Sequence, residues 1–227
     1  MNSTNIKRTC LLSALALGAA LSASAQAPAS PDPATIDPGP GLVGTNYAEL
    51  GFGYLREGGT PGDFRDYDFV SNEAAYRQGI WGIDGNFKFD YLNGSADGFI
   101  DHREEAMLGA TGFLTQTWGK LFLTGDAGMA WESAGGASRK GFAYSLTGGV
   151  EFEITRRIAV TPFLEYDADP HLYNHAPAVA NLPDHDLLGG VKGTYRFTRQ
   201  WSGSLSATLD QYNSRDIGLR AGVSYNF

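Results

Sequence analysis

Four histidines, His102, His171, His175 and His185, are the residues of this sequence best suited to acid–base or metal chemistry. Two stand beside carboxylates, in Asp169-Pro170-His171 and Asp184-His185-Asp186. A carboxylate next to an imidazole can orient it as a general base. The His171/His175 spacing would place two zinc ligands on one face of a helix. Asn174 and Pro177 argue instead for a loop, where spacing fixes no geometry. Histidines and acids in such segments are more often solvated turn residues. No catalytic residue, metal ligand or cofactor is therefore assigned, and the chain is read as a non-enzyme.

A larger set of charges recurs at alternate positions within otherwise apolar runs: Glu49, Asp84, Lys88, Asp90, Arg103, Glu105, Asp126, Glu151, Glu153, Glu165, Asp167, Lys192, Arg196, Asp210 and Arg220. Their chemistry depends on the element that carries them. In strands they share one face, because side chains alternate with period 2. If that face lines a narrow lumen, the mixed charges pair with one another, since an unpaired charge in a tight space is costly. Acids in surplus then need water, a bound cation or a proton. A hydrated version of this lumen, if it conducts, prefers small cations.

The elements are legible from Thr45 onward. In the last run Ile217, Leu219, Ala221, Val223, Tyr225 and Phe227 share one parity, opposite Gly218, Arg220, Gly222, Ser224 and Asn226. A helix would scatter these residues around its circumference; a strand separates them. Similar alternation marks runs near 47–54, 81–91, 106–114, 121–131, 142–154, 158–166, 187–197 and 201–210. The run within Phe64 to Tyr76 is the poorest, with Tyr67 and Phe69 on one face and the pattern failing around Ser71 to Glu73. A bulge would restore it. The reading is an all-β fold, a transmembrane antiparallel up-and-down β-barrel of ten strands. Eight strands, with Thr45 to Tyr76 packed elsewhere, is the alternative. Pro162 falls on the outer face of the seventh run, where it removes a ladder donor and suggests a local bulge.

Three features favour a membrane barrel over a soluble one. Short connections near Arg77-Gln78-Gly79, Gly119-Lys120, Arg156-Arg157 and Arg199-Gln200 alternate with longer ones at Glu57 to Asp63, Asn93 to His102, Glu132 to Gly141 and Ala168 to His185, although the final one, Asn213 to Arg215, is short on the long-loop side. Outward aromatics sort into two levels. Trp81, Trp118, Phe152, Phe197, Trp201 and Phe227 lie beside the short turns, and Tyr54, Tyr91, Trp131, Phe142, Tyr144 and Tyr166 lie towards the long loops. Rings favour the two headgroup levels of a bilayer. The charged face, finally, is the inner one, so the apolar face has only lipid to bury against.

The N-terminus fits export. Lys7 and Arg8 precede an apolar run from Leu11 to Leu21, and Ala23-Ser24-Ala25 offers a small-x-small cleavage site. That run is shorter than the roughly 20 residues a membrane helix needs. Residues 1–25 are read as a signal peptide, 26–44 as an extended Pro-rich periplasmic linker in which nothing can fill a core, and 45–227 as the barrel domain. Cleavage removes Cys10, the only cysteine. It also removes two bases and no acid, moving the formal charge from −8 to −10. That balance argues against a nucleic-acid partner.

The final segment, with Gly222, Tyr225 and Phe227, resembles the C-terminal insertion signal of the bacterial outer-membrane β-barrel superfamily. The resemblance implies the barrel-assembly machinery as a partner during biogenesis and the outer membrane as destination. Asp169-Pro170-His171 is also similar to the Asp-x-His pair in the fourth external loop of omptin-like surface proteases, but a matching acidic pair is not evident. The His-x-Ser pattern of lipid A deacylase barrels is not found. Two functions follow: a narrow porin-like channel for small solutes or cations, or a structural or adhesive surface barrel without transport. A barrel-type hydrolase ranks below both. The expected partners are outer-membrane lipid and lipopolysaccharide, and the expected state is a monomer.

Overall fold

A computed structural model describes residues 39–56, 62–96, 99–134, 137–168, 185–210 and 217–227. The expected signal peptide, residues 26–38 of the expected linker, and His171 and His175 lie outside the described residues. Ten strands follow in chain order: β1 (Tyr47–Arg56), β2 (Gly62–Gln78), β3 (Trp81–Ala96), β4 (Phe99–Gln116), β5 (Gly119–Ala134), β6 (Ala137–Glu153), β7 (Ile158–Ala168), β8 (His185–Arg196), β9 (Trp201–Asp210) and β10 (Ile217–Asn226). Each pairs antiparallel with the next, and β1 pairs with β10 to close the barrel. Closure leaves no unpaired sheet edge. The eight-strand alternative falls because β1 and β2 are full members of the wall, with Leu50 opposite both Phe69 and Val223.

Alternation builds the two faces. Leu205 and Leu108 are 71% and 69% exposed, while Glu49 and Asp84 are 1% and 0% exposed. Apolar surface costs about 25 cal/mol per Å² in water, a cost that vanishes against hydrocarbon. Exposed rings border this aliphatic exterior. At the short-turn end Trp118 meets Phe152 with centroids 5.5 Å apart, Tyr195 meets Phe197 at 5.2 Å, and Trp201 meets Tyr225 at 5.1 Å. At the other end Tyr144 lies between Phe142 and Tyr166, at 6.3 and 6.4 Å.

The short turns are locally encoded. Gly79, at φ +60°, turns β2 into β3 in a conformation that side chains resist. Thr155 and Thr198 use their Oγ1 atoms to accept backbone N–H groups at 3.0–3.2 Å in the turns before β7 and β9. Both ends of the barrel chain meet on this side, where Phe227 N donates to Asn46 O at 3.1 Å.

Three expectations need correction. Asn93–His102 and Glu132–Gly141 are not open loops: β3 runs to Ala96, β4 starts at Phe99, β5 runs to Ala134 and β6 starts at Ala137. Strands β2–β6 are 16 to 18 residues long, against 10 to 12 for the other five. A tilted strand crosses a bilayer in about 9–11 residues. Residues 137–143 of β6 continue past Ala168, the last described residue of β7, for about 24 Å of strand at about 3.4 Å per residue, whereas the extra length of β2, Glu73 to Gln78, lies at the short-turn end. Polar strands above the lipid level lose the apolar parity that betrays a strand, so they read as loop.

Pro162 makes no bulge. The β6–β7 ladder pairs Gly149 with Phe163, lapses at Val150 and Glu151, and resumes in the same register with Phe152 opposite Val160. Without an N–H, Pro162 simply omits its bond. The bulge foreseen in β2 is present, between Ala74 and Tyr76. The third expectation, an unpacked linker, fails at its last residues, which are buried at the short-turn mouth.

Candidate functional site

The chemistry-bearing side chains of the inner face form three groups. The first centres on Glu49 of β1. Its Oε1 accepts from Lys192 Nζ of β8 at 2.9 Å and from Arg220 of β10 at 3.0 Å. Its Oε2 accepts from Lys192 at 3.1 Å, Ser204 of β9 at 3.2 Å and Ser224 of β10 at 2.8 Å. Gly222 leaves room for this carboxyl, because a Cβ there would lie 3.0 Å from Glu49 Cδ and 2.6 Å from Ser204 Oγ. One carboxylate thus joins β1, β10, β9 and β8 across one side of the lumen.

The second group lines the middle and upper wall. Asp126 of β5 accepts from Asn86 of β3 at 2.5 Å and from Ser145 of β6 at 3.5 Å. Lys88 stands 3.1 Å from Asp90 and 4.0 Å from Glu165 of β7. Arg103 and Glu105, both buried on β4, pair at 2.6 Å. Arg196 lies apart from this group, buried at the short-turn end of β8 opposite Ser202.

The third group closes the short-turn mouth, and it corrects the linker. Its last residues were expected to fill no core, yet Pro40, Gly41, Leu42 and Gly44 are buried, as is Thr45. Leu42 N and Val43 N donate to Glu151 Oε2 of β6 at 2.8 and 3.2 Å. Gly44 N donates to Asp84 Oδ2 of β3 at 2.9 Å. Thr45 Oγ1 donates to Leu42 O at 2.7 Å and tightens the turn. Arg77 of β2 donates to Gly44 O, stands 3.7 Å from Asp84 and lies over the Phe113 ring at 5.7 Å. Lys120 of β5 completes the set, 3.4 Å from Glu151 and 3.5 Å from Glu153. The reason is general: backbone N–H groups outside any ladder must find acceptors when buried, and the lumen supplies carboxylates.

The expected lumen charges therefore sort by level. Asp84, Glu151 and Glu153 lie at the mouth, and Glu153 is partly exposed at its rim. Glu49, Lys192 and Arg220 meet in one cluster. Lys88, Asp90, Asp126 and Glu165 stand together above it, with Arg103 and Glu105 beyond. Asp210 has its side chain outside the described residues. Arg77 and Lys120 were read as turn residues; for Lys120, the parity of Phe122, Thr124 and Asp126 was the available signal. Nothing in the periodicity pointed to residues 40–45. His102 lies within β4 and not in a loop, with Ser133 Oγ 2.7 Å from its Nδ1 and the Tyr91 ring 6.1 Å away. No three-residue cluster of potential metal ligands is present among the described residues.

No family model and no curated protein matches this chain. Among solved structures, the β domain of the Bordetella autotransporter BrkA is similar at TM-score 0.52 and 14% identity, over 81% of this chain and 99% of that one. Neisserial surface protein A gives TM-score 0.43 at 11% identity, covering 80% of this chain and 96% of that one. The KdgM porin in complex with disordered oligogalacturonate gives TM-score 0.43 at 14% identity, covering 80% and 99%. The chain has the fold of bacterial outer-membrane β-barrels; at these identities the likeness concerns the fold alone.

Proposed function

We propose that this chain is an exported outer-membrane barrel whose lumen is closed at rest, serving as a surface scaffold and not as an open pore. The observation that carries this reading is the pairing of the Glu49 cluster with the mouth group. Narrow barrels are filled by their own side chains, and here β8, β9, β10 and β1 are tied by Glu49 while residues 40–45 lie against β2, β3, β4 and β6. The apolar exterior between two belts of rings supports a bilayer as its solvent. Export by a cleaved leader, insertion through the barrel-assembly machinery, lipid and lipopolysaccharide as neighbours and a monomeric state belong to the same proposal.

A second reading, a narrow pore preferring small cations, draws support from Asp90, Glu105, Asp126, Glu165 and Asp167, which form an acidic wall above the mouth. Planar-bilayer recording of the purified chain, with liposome swelling for neutral solutes, separates the two. The scaffold reading expects a silent bilayer and no swelling. Steady current with cation preference would replace it with the pore.

A further inference from the structure

The strand that residues 39–46 precede is β1, but the strand they touch first is β6. A Cβ added to Gly39 would lie 2.2 Å from a Glu153 carboxylate oxygen, and one added to Gly41 would lie 1.9 Å from Glu151. In the closed order of ten strands, β6 is five places from β1 in either direction. The segment therefore crosses the full width of the mouth before it joins the wall. On the way Gly44 passes over Asp84 of β3, Arg77 of β2 and the Phe113 ring of β4.

The way it is held differs from the rest of the barrel. Among the described residues, none before Tyr47 belongs to a ladder, and Asn46, whose O accepts from Phe227 N at 3.1 Å, is where the segment joins the wall. The attachment of residues 39–45 consists of three backbone N–H donors on two carboxylates, the Arg77 bond to Gly44 O, and the burial of Pro40 and Leu42. Such a segment can leave without breaking one strand-to-strand bond. Its small glycines let the backbone approach the carboxylates.

We propose that residues 39–45 are a detachable plug, an intramolecular ligand of the mouth formed by Glu151, Asp84, Arg77 and Phe113. Its release opens the side of the lumen lined by β2–β6, while the Glu49 cluster keeps the opposite side in place. The proposal rests on the reading of the chain as a membrane barrel closed at rest.

The test uses the complete exported chain with Cys10 removed or replaced by Ser, carrying Leu42→Cys as a reporter for a bulky, charged maleimide. Thr155→Cys, on an exposed short turn, is the reference. Local opening that is rare in the parent makes Leu42→Cys react at least about tenfold more slowly than Thr155→Cys. Glu151→Ala with Asp84→Ala should bring the two rates within about threefold and produce current in a planar bilayer. Gly44→Val attacks from the plug side and leaves the wall intact. Its Cβ falls 2.8 Å from the Phe113 ring, at a φ of +72° that β-branched residues avoid. It should give the same two changes, with heat-modifiable gel migration reporting a folded barrel. Leu42→Cys reacting as fast as Thr155→Cys in the parent overturns the plug. Faster labelling in Gly44→Val without current overturns the opening. Steady current in the parent, with Leu42→Cys protected, defeats the closed-lumen reading and the plug with it, whereas fast labelling of Leu42→Cys in a silent parent overturns the plug alone.

Discussion

Lys192 of β8 places its Nζ 2.9 and 3.1 Å from the two carboxylate oxygens of Glu49, bridging strands three places apart around the wall. Glu49 is 1% exposed and also serves Arg220, Ser204 and Ser224, so one β1 side chain fixes the geometry of the seam where the first and last strands close.

Removing that carboxylate should be expensive. Glu49→Ala leaves two cations without their shared partner, and breaking a buried pair costs about 3–5 kcal/mol. Urea unfolding in lipid vesicles measures it. In a double-mutant cycle, adding Lys192→Met should recover part of the loss, because the second charge no longer lacks a partner. A cost below about 1 kcal/mol would mark the lumen here as freely solvated.

Gly222 and Phe227 belong to the same terminal motif but should fail differently. Gly222→Val pushes a side chain into Glu49 and Ser204, an overpacking worth about 1–3 kcal/mol of stability. Phe227 is half exposed on the outer face. Phe227→Ala should lower the fraction of folded barrel recovered from outer membranes while hardly changing the unfolding midpoint of refolded protein. Equal behaviour of the two variants in both assays would dissolve the distinction.

Leu205, on β9, tests the exterior. Leu205→Arg places a charge in the aliphatic band, at a cost of about 2–4 kcal/mol near a bilayer midplane. On a water-facing surface the same change lies within about 0.5 kcal/mol. Unfolding in lipid vesicles reads the difference directly.

Pro162→Val supplies the N–H that the β6–β7 ladder lacks beside Val150. A hydrogen bond is worth about 0.5–1.5 kcal/mol, and loss of proline's restraint on the unfolded chain offsets about 0.4–1 kcal/mol. The net expectation is a gain of no more than about 1 kcal/mol, with slow amide exchange at residue 162. Rapid exchange there would show that strand geometry, and not the missing donor, interrupts the pairing.

Much of the wall was legible because parity survives in a two-faced strand. Ile217, Leu219 and Val223 against Ser224 and Arg220 announce an outside and an inside without any knowledge of neighbours. The tops of β3, β4, β5 and β6 were not legible, since Asn93, His102, Ser133 and Ser138 carry no apolar alternation once the strand has left the lipid. Arg77 and Lys120 were misjudged for a related reason. A charge beside a short turn looks solvated until the carboxylates it meets, on the neighbouring strands β3 and β6, are brought to it by strand pairing.

The amino-acid sequence alone determined the two faces and the side on which the short turns gather, because each depends on residues near one another in the chain; the choice of ten strands over eight came from the pairing of β1 with β2 and β10. Only the tertiary structure decided that Leu42 and Val43 cap Glu151, over a hundred residues away, and that Glu49 reaches Lys192. Those pairings depend on which strands stand opposite when the sheet closes. A Pro- and Gly-rich segment carries no periodicity from which its destination could be read. Its backbone donors acquire a place only where a closed wall presents acceptors to them.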